Sequence, residues 1–340
     1  MPKTVTLQNE TLWRSCILRG WRYRAEHILV AVALMLLEPT EARADFTLTI
    51  LHTNDFHYRI GPIDRLDNDC PSDAVAAADC IGGSARLKAA IAAIRERDDH
   101  VVLLDAGDQF PSPAYPTDFD PSLSAELMNR MGYDAMVLGN HEFDEGPEVL
   151  GEFISGLRFP VVVANADLSS HPQLDGKTYG SVVLELGDEQ LGVIGLTLPH
   201  NREWRKYTPR ITGRDATEAL RAEVDSLAGK GINKIVLISH SGFGGDLSLA
   251  AKKTGVDVIV GGHSHTFLSG SDPRAEGPYP RIYNGVAIVQ AYAFGAYLGE
   301  LEVIFDDDGK VVEAVGEPIP LDQNVAEDEE IMRLIAETAR

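Results

Sequence analysis

Five short polar clusters directly follow predicted strands of this sequence, and together they contain residue types that bind transition metals. The clusters are Asp55-Phe56-His57, Gly107-Asp108, Gly139-Asn140-His141-Glu142-Phe143-Asp144, Ser239-His240 and Gly262-His263-Ser264-His265. Each cluster alone occurs by chance, but five of the chain's ten histidines fall within them. Because the carboxyl ends of strands in an open α/β sheet line one crevice, we expect the clusters to converge there. The sequence therefore predicts a metal site at that edge of the sheet.

The donor atoms in these clusters indicate which ions the site would take. The candidate ligands are Asp55, His57, Asp108, Asn140, His240, His263 and His265. Alternate side chains of an extended segment point to the same face, so Asp55 is expected beside His57, and His263 beside His265. Oxygen and nitrogen donors of this kind suit zinc, manganese or iron better than calcium.

Alternating apolar segments must position these clusters. Short strand-like runs, among them Phe46–Leu51 and Val256–Val260, alternate with amphipathic stretches such as Gly83–Arg97 and Ala216–Ala228 that have helical periodicity. The region from Ile288 to Val315 then has the pattern of antiparallel strands. Such alternation, followed by strands, predicts a layered α/β core in which helices flank the sheet.

The acidic composition excludes one broad class of function. The 340 residues include 52 Asp and Glu against 30 Lys and Arg, for a formal net charge of −22 at pH 7. Such a surface repels polyanions, so we expect no sequence-independent binding of a nucleic-acid polymer. A small anionic substrate is still compatible with this charge where a metal ion inverts the local field.

The first 44 residues have the pattern of a secretory signal peptide. Four arginines between positions 14 and 24 precede ten apolar residues, Ile28 to Leu37, and Ala42-Arg43-Ala44 offers the small residues of a cleavage site. Ten apolar residues are too few to span a bilayer, which takes about 20; a buried helix is the alternative. We therefore expect a secreted or periplasmic protein without a stable membrane span, whose mature chain begins near Asp45.

Two cysteines of the expected mature chain, Cys70 and Cys80, lie in one polar loop. In an oxidising compartment their spacing permits a disulfide that closes this loop. Two free buried thiols are the alternative.

The motifs resemble those of the calcineurin-like metallophosphoesterases, in particular the secreted bacterial 5′-nucleotidase and UDP-sugar hydrolase branch. The matching segments are Leu51-His52-Thr53-Asn54-Asp55-Phe56-His57, Gly82-Gly83-Ser84-Ala85-Arg86, Leu104-Asp105-Ala106-Gly107-Asp108, Ala164-Asn165-Ala166-Asp167, Gly261-Gly262-His263-Ser264-His265 and Gln290-Ala291-Tyr292. The resemblance extends from about Thr47 to Glu327. It implies an α/β four-layer sandwich of two mixed β-sheets flanked by helices, with the catalytic domain over residues 45–325. It also implies an enzyme that hydrolyses small phosphoesters, with 5′-nucleotidase-type release of phosphate from nucleotides.

The resemblance further implies roles for single residues. Two divalent ions would be held, one by Asp55, His57 and His265, the other by Asn140, His240 and His263, with Asp108 bridging them. The ions would share a hydroxide that attacks the phosphorus atom in line. His141, oriented by Asp144, would stabilise the transition state or protonate the leaving oxygen. The alternative for Asp144 is a capping role at the helix predicted from Glu148.

Two departures from the 5′-nucleotidase pattern leave the substrate open. We expect this chain to lack the family's C-terminal domain, which binds the nucleobase, and we expect residues 326–340 to form the helix that links to it. Gln109 is followed by Phe110-Pro111-Ser112-Pro113 where the family has a small Gln-Gly-Ser element, so access to the site would change. One alternative is therefore a catalytically weak metal-binding remnant, or half of a two-chain enzyme that needs a separate substrate-binding domain. A thiosulfonate hydrolase, as in a related dimanganese branch, is a third interpretation.

Overall fold

Strands and helices alternate through the part of the chain that the structure describes, residues 45–70, 80–114, 117–198 and 211–338 of this computed structural model. The strands are β1 (Phe46–Thr53), β2 (Val101–Asp105), β3 (Ala135–Val137), β4 (Val161–Val162), β5 (Ala166–Asp167), β6 (Thr178–Tyr179), β7 (Ser181–Leu186), β8 (Glu189–Leu196), β9 (Thr212–Gly213), β10 (Ile235–Ser239), β11 (Val258–Gly261), β12 (Arg281–Tyr283), β13 (Val286–Val289), β14 (Tyr297–Phe305) and β15 (Val311–Pro320). The α-helices are α1 (Ser84–Arg97), α2 (Pro121–Met131), α3 (Gly146–Gly156), α4 (Ala216–Ala228), α5 (Phe243–Ala251) and α6 (Glu329–Thr338). The predicted signal peptide over residues 1–44 lies outside the described residues. None of the helices in the described ranges has the length and apolar character needed to cross a membrane.

Two mixed sheets organise the fold. In the seven-stranded sheet the order is β15-β14-β1-β2-β3-β4-β6, with parallel pairing from β1 to β6 and antiparallel pairing at β14 and β15. In the six-stranded sheet the order is β12-β13-β11-β10-β8-β7, with parallel pairing from β13 to β8 and an antiparallel strand at each edge. A small antiparallel pair, β5 and β9, stands apart from both.

The two sheets pack face to face, and helices cover their outer faces. Leu48 and Ile50 of β1 point into a buried cluster that also contains Val236 and Ile238 of β10, whereas Leu51 points to the opposite face. That outer face packs against α1, α2, α3 and α6, and the outer face of the six-stranded sheet packs against α4 and α5. The arrangement is helices, sheet, sheet, helices, so the predicted four-layer α/β fold is confirmed.

Element boundaries differ from the sequence prediction where tertiary contacts decide them. A helix is predicted over Leu247–Lys253, but α5 begins at Phe243 because Gly242 turns the chain with a φ of 76° and the Phe243 N–H donates to the Ser264 hydroxyl. The prediction of antiparallel strands from Ile288 onward is confirmed for β14 and β15 and only in part for β13. Strand β13 pairs antiparallel with β12 on one side but in parallel with β11 on the other.

Cys70 and Cys80 form a disulfide, with their Cα atoms 6.2 Å apart. The predicted bridge is confirmed, and the alternative of two free thiols is wrong. The bridge closes the loop whose residues 71–79 lie outside the described residues. It joins the segment after β1 to the segment before α1.

A buried histidine in β1 makes the stability of the protein depend on pH. His52 is fully buried, with Nε2 2.8 Å from the Tyr279 hydroxyl oxygen and no partner for Nδ1 among the described residues. Burial lowers the pKa of His52 from 6.5 to about 3. Because the unfolded chain binds a proton below pH 6.5 and the folded chain does not, stability is lost as pH falls from 6.5 towards 3.

We expect this histidine alone to lower the free energy of unfolding by about 2 kcal/mol at pH 5 relative to pH 7. Urea unfolding of the wild type and of His52→Gln at both pH values measures this contribution of His52. The carboxylates titrate in both proteins, so their effect on the free energy of unfolding cancels in the comparison. The Gln variant should lose about 2 kcal/mol less than the wild type between the two pH values. An equal loss in both proteins would contradict the assignment.

Candidate metal centre

The five polar clusters meet at one end of the two sheets, where β1, β2 and β3 of one sheet and β10 and β11 of the other reach their carboxyl ends. Backbone N–H groups of Asp55 and His57 donate to the carbonyls of Gly107 and Asp108, both at 2.9 Å, so the loops after β1 and β2 are joined. The Asp55 carboxylate accepts the backbone N–H of His263 at 3.0 Å, which joins the second sheet to the first. The expected convergence of the clusters is therefore present.

Three overlapping groups of side chains each bring their ligand atoms within 4.8 Å of one another. The groups are Asp55 with His57 and His265, His57 with Asp108 and His141, and Asp108 with His240 and His263. Asn140 lies beside the third group, with its Oδ1 2.8 Å from His263 Nδ1. All seven predicted ligands thus lie together, and Asp108 stands between the two sets that were assigned to separate ions. That these side chains bind ions stays a prediction.

Two contacts in this cluster bring possible ligand atoms close together. The Nε2 atoms of His57 and His265 lie 3.1 Å apart, within hydrogen-bond distance. His240 Nε2 is buried and lies 3.0 Å from Asp108 Oδ2, yet it has no partner with hydrogen-bond geometry among the described residues. Nitrogen and carboxylate oxygen donors that converge in this way are the ligand set of zinc, manganese or iron.

Charges in the ligand cluster stabilise one another when no ion is bound. Burial opposes ionisation of both His240 and Asp108, but their mutual attraction outweighs it, raising the pKa of His240 to about 10 and holding the pKa of Asp108 well below its usual range. Burial also raises the pKa of Asp55 to about 7. An ion bound by His240 must displace a proton from it, so metal binding at this centre is coupled to proton release.

A histidine–carboxylate pair lies at the open side of the ligand groups. His141 Nδ1 is 2.6 Å from Asp144 Oδ2, and the His141 backbone N–H donates to Asp108 Oδ1 at 2.8 Å. Burial alone would lower the pKa of His141, but the hydrogen bond that it donates to Asp144 and the charge of Asp108 outweigh burial and raise it. The alternative capping role of Asp144 is wrong, because α3 begins at Gly146 and its cap position is Glu145.

The geometry agrees with the comparison of this sequence with known families. A sequence profile of the calcineurin-like phosphoesterase family matches residues 48–267, the segment that carries every residue of the cluster. The chain belongs to this family. The family predicted from the motifs is therefore confirmed, and the members of this family are metal-dependent phosphoesterases.

Relatives of this calcineurin-like phosphoesterase are named 5′-nucleotidases. The chain is 39% identical over 318 residues to snake venom 5′-nucleotidase of Gloydius brevicauda, covering 89% of this chain and 53% of that protein. It is 40% identical over 313 residues to 5′-nucleotidase of Rattus norvegicus, covering 88% and 53%. The crystal structure of a 5′-nucleotidase precursor from Thermus thermophilus superposes with a TM-score of 0.79 at 39% identity, covering 86% and 58%. The chain therefore spans about half the length of the curated relatives it matches.

The candidate ligands of this phosphoesterase lie on a strained backbone that the sequence analysis did not foresee. Five of the seven have a φ in the left-handed region, namely Asp55 (52°), His57 (51°), Asp108 (60°), His263 (73°) and His265 (51°). Residues other than glycine adopt this region at a cost of about 1–3 kcal/mol each, and they keep it only where neighbouring contacts hold them. The loops must therefore be held by other groups.

Backbone carbonyls orient two of the histidines. His57 Nδ1 donates to the carbonyl of Phe110 at 3.1 Å, and His240 Nδ1 donates to the carbonyl of Ala106 at 2.6 Å. Each bond fixes a proton on Nδ1, so Nε2 is the ring nitrogen that would bind an ion, as in most histidine metal sites. Phe110 begins the proline-containing loop that departs from the family pattern, so this loop contacts the site through its backbone.

Glu142 is a positioning residue that the sequence analysis left without a role. Its buried carboxylate accepts four backbone N–H groups, from Gln109 and Gly139 at 2.6 Å, Asp108 at 3.1 Å and Phe110 at 3.3 Å. These bonds join the loop after β2, which carries Asp108, to the loop after β3. The sequence offered one indication of this role, which is that Glu142 directly follows two candidate site residues. Its partners could not be predicted, because three of the four donors lie more than 30 positions away in the sequence.

Proposed function

We propose that this chain is a phosphoesterase that uses two divalent metal ions to release phosphate from small phosphoesters, with 5′-nucleotides as the preferred class. The observation that carries the proposal is the His141–Asp144 pair beside ligand groups that contain six of the seven expected ligands, with the seventh, Asn140, in contact with His263. Asp55, His57 and His265 are assigned to one ion, and Asn140, His240 and His263 to the other. Asp108 is assigned to both.

In this proposal the ligand side chains would hold the ions, whereas His141 and Asp144 would transfer a proton. Divalent ions at these positions would supply Lewis acidity towards the phosphoryl oxygens and would lower the pKa of a water molecule. His141, with a raised pKa and a carboxylate partner, is suited to hold a proton at Nε2 and to give it to the leaving oxygen. Asp144 fixes the ring orientation and the Nδ1 proton through its 2.6 Å contact.

The nucleotide preference rests on relatives that are similar over most of this chain and are named 5′-nucleotidases. The ions are proposed to be zinc, manganese or iron, which suit this donor set. The leader pattern and the disulfide support export to the periplasm or the medium. Because those relatives are about twice as long, a separate domain of the C-terminal type is a further proposed partner.

Phosphate release from a panel of nucleotides tests the function, with metal content determined on the same sample. We expect two ions per chain and turnover of AMP that a chelator abolishes and Mn²⁺ restores. A sample with two ions that leaves both AMP and 4-nitrophenyl phosphate intact would contradict the activity of this chain alone and favour the two-chain alternative. A protein that binds no ions would contradict the metal assignment itself.

A further inference from the structure

A buried glutamine spans the histidine-bearing loop that follows β11. Gln290 directly follows β13, and its side chain is fully buried. Its Nε2 donates to the carbonyl of Gly262 at 3.1 Å. Its Oε1 accepts from the Ser264 hydroxyl at 3.0 Å and from the backbone N–H of Thr266. One side chain therefore contacts the loop before, between and after its two histidines.

The loop needs such a restraint because of its backbone. His263 and His265 have φ values of 73° and 51°, a region that side-chain-bearing residues rarely adopt. The Ser264 hydroxyl, which lies between them, also accepts the backbone N–H of Phe243 at 3.0 Å and so ties the loop to the start of α5. Together with Gln290, these bonds fix the loop from two directions.

The two histidines of this loop belong to different ligand groups. His263 lies with Asp108 and His240, whereas His265 lies with Asp55 and His57. The conformation of this one loop therefore sets the distance between His263 in one group and His265 in the other. A change in the loop moves both histidines at once.

We infer that Gln290 is a positioning residue for both metal ions, through its three hydrogen bonds to the loop from Gly262 to Thr266. The inference rests on the proposed metal assignment. It differs from the role of a ligand, because a ligand variant such as His265→Ala removes a donor from one group only. Among the described residues, the hydrogen bonds of the Gln290 side chain go to Gly262, Ser264 and Thr266 and to no ligand atom, so it acts through the loop.

Titration of metal-free protein with Mn²⁺, followed by calorimetry and by the Mn²⁺ electron paramagnetic resonance spectrum, tests the inference. Gln290→Met keeps the length of the side chain and removes all three hydrogen bonds. We expect both binding steps to weaken by about 10- to 100-fold, as for other groups that orient metal ligands, with loss of the spin-coupled two-ion spectrum. His265→Ala should weaken mainly one step, and Gln190→Met, in an exposed hairpin, should leave both unchanged.

The outcomes separate a positioning role from a purely structural one. A Gln290→Met protein that binds two ions with wild-type affinity but has a lower melting temperature would show a structural role only and overturn the inference. Weakening of a single step would overturn it as well. Should Gln290→Met fail to fold, Ser264→Ala decides, since it removes the exposed hydroxyl through which Gln290, Phe243 and Thr266 hold the loop, and it should weaken both steps several-fold. A wild-type protein that binds no Mn²⁺ would instead contradict the proposed function.

Discussion

Asp108→Asn is expected to lower phosphate release by roughly 10³-fold, which corresponds to about 4 kcal/mol of transition-state stabilisation. The side chain keeps its shape, and the left-handed φ of 60° suits asparagine well, so the backbone should not change. What is lost is the negative charge between the two ligand groups, beside His57 and His240. We therefore expect fewer than two ions per chain in this variant.

Metal analysis and phosphate release on the same preparation measure this effect. Asp257→Asn is the matched control, because Asp257 is a carboxylate that accepts a backbone N–H, from Ile235 at 2.8 Å, but lies at the opposite end of β11. The control should bind two ions and keep wild-type activity. An Asp108→Asn protein that binds two ions and has full activity would show that Asp108 does not bridge the ions.

His141→Ala is expected to lower the turnover of AMP by about 10²- to 10⁴-fold, the usual range for a lost general acid, with both ions retained. The reason is that nucleoside release needs a proton on the leaving oxygen, and His141 is the imidazole that Asp144 orients at the open side of the cluster. The substrate 4-nitrophenyl phosphate has a leaving group that needs no proton. Its hydrolysis should fall at least about 10-fold less than that of AMP if His141 acts as an acid.

This comparison of substrates separates the two roles open to His141. An equal loss with both substrates would indicate that the imidazole stabilises charge on the phosphoryl group and does not protonate the leaving oxygen. Asp144→Asn keeps a hydrogen-bond acceptor but loses the charge. Its activity should also fall more with AMP than with 4-nitrophenyl phosphate, but by a smaller factor than in His141→Ala. Unchanged AMP turnover in His141→Ala would exclude either catalytic role.

The sequence alone predicts most of the local structure because local structure follows local periodicity. Helix α4 spans Ala216–Ala228, as its apolar spacing predicts, and β1 begins at Phe46. The clusters after β1, β2, β3, β10 and β11 could be placed at one edge, since parallel strands end on the same side.

The sequence does not reveal which distant segments hold the site in place. The parallel pairing of β13 with β11 was not predicted, because the residues of an apolar strand do not indicate which strands lie beside it. Asn54 lies in a family motif that predicts no role for it. In the structure it donates to Asp55 Oδ2 at 2.8 Å and accepts the backbone N–H of Ala291, 237 residues away. Glu142 and Gln290 likewise act on segments that no local pattern connects to them.

The chemistry of the centre was thus determined by residue type, and its geometry by the tertiary structure. Which side chains can bind ions depends on their donor atoms, and these are visible in the chain as written. How closely they approach, such as His57 and His265 at 3.1 Å across 208 positions, depends on two sheets packing face to face. The left-handed backbone at five ligands persists only because that packing and the buried hydrogen bonds of Glu142, Asn54 and Gln290 hold the loops.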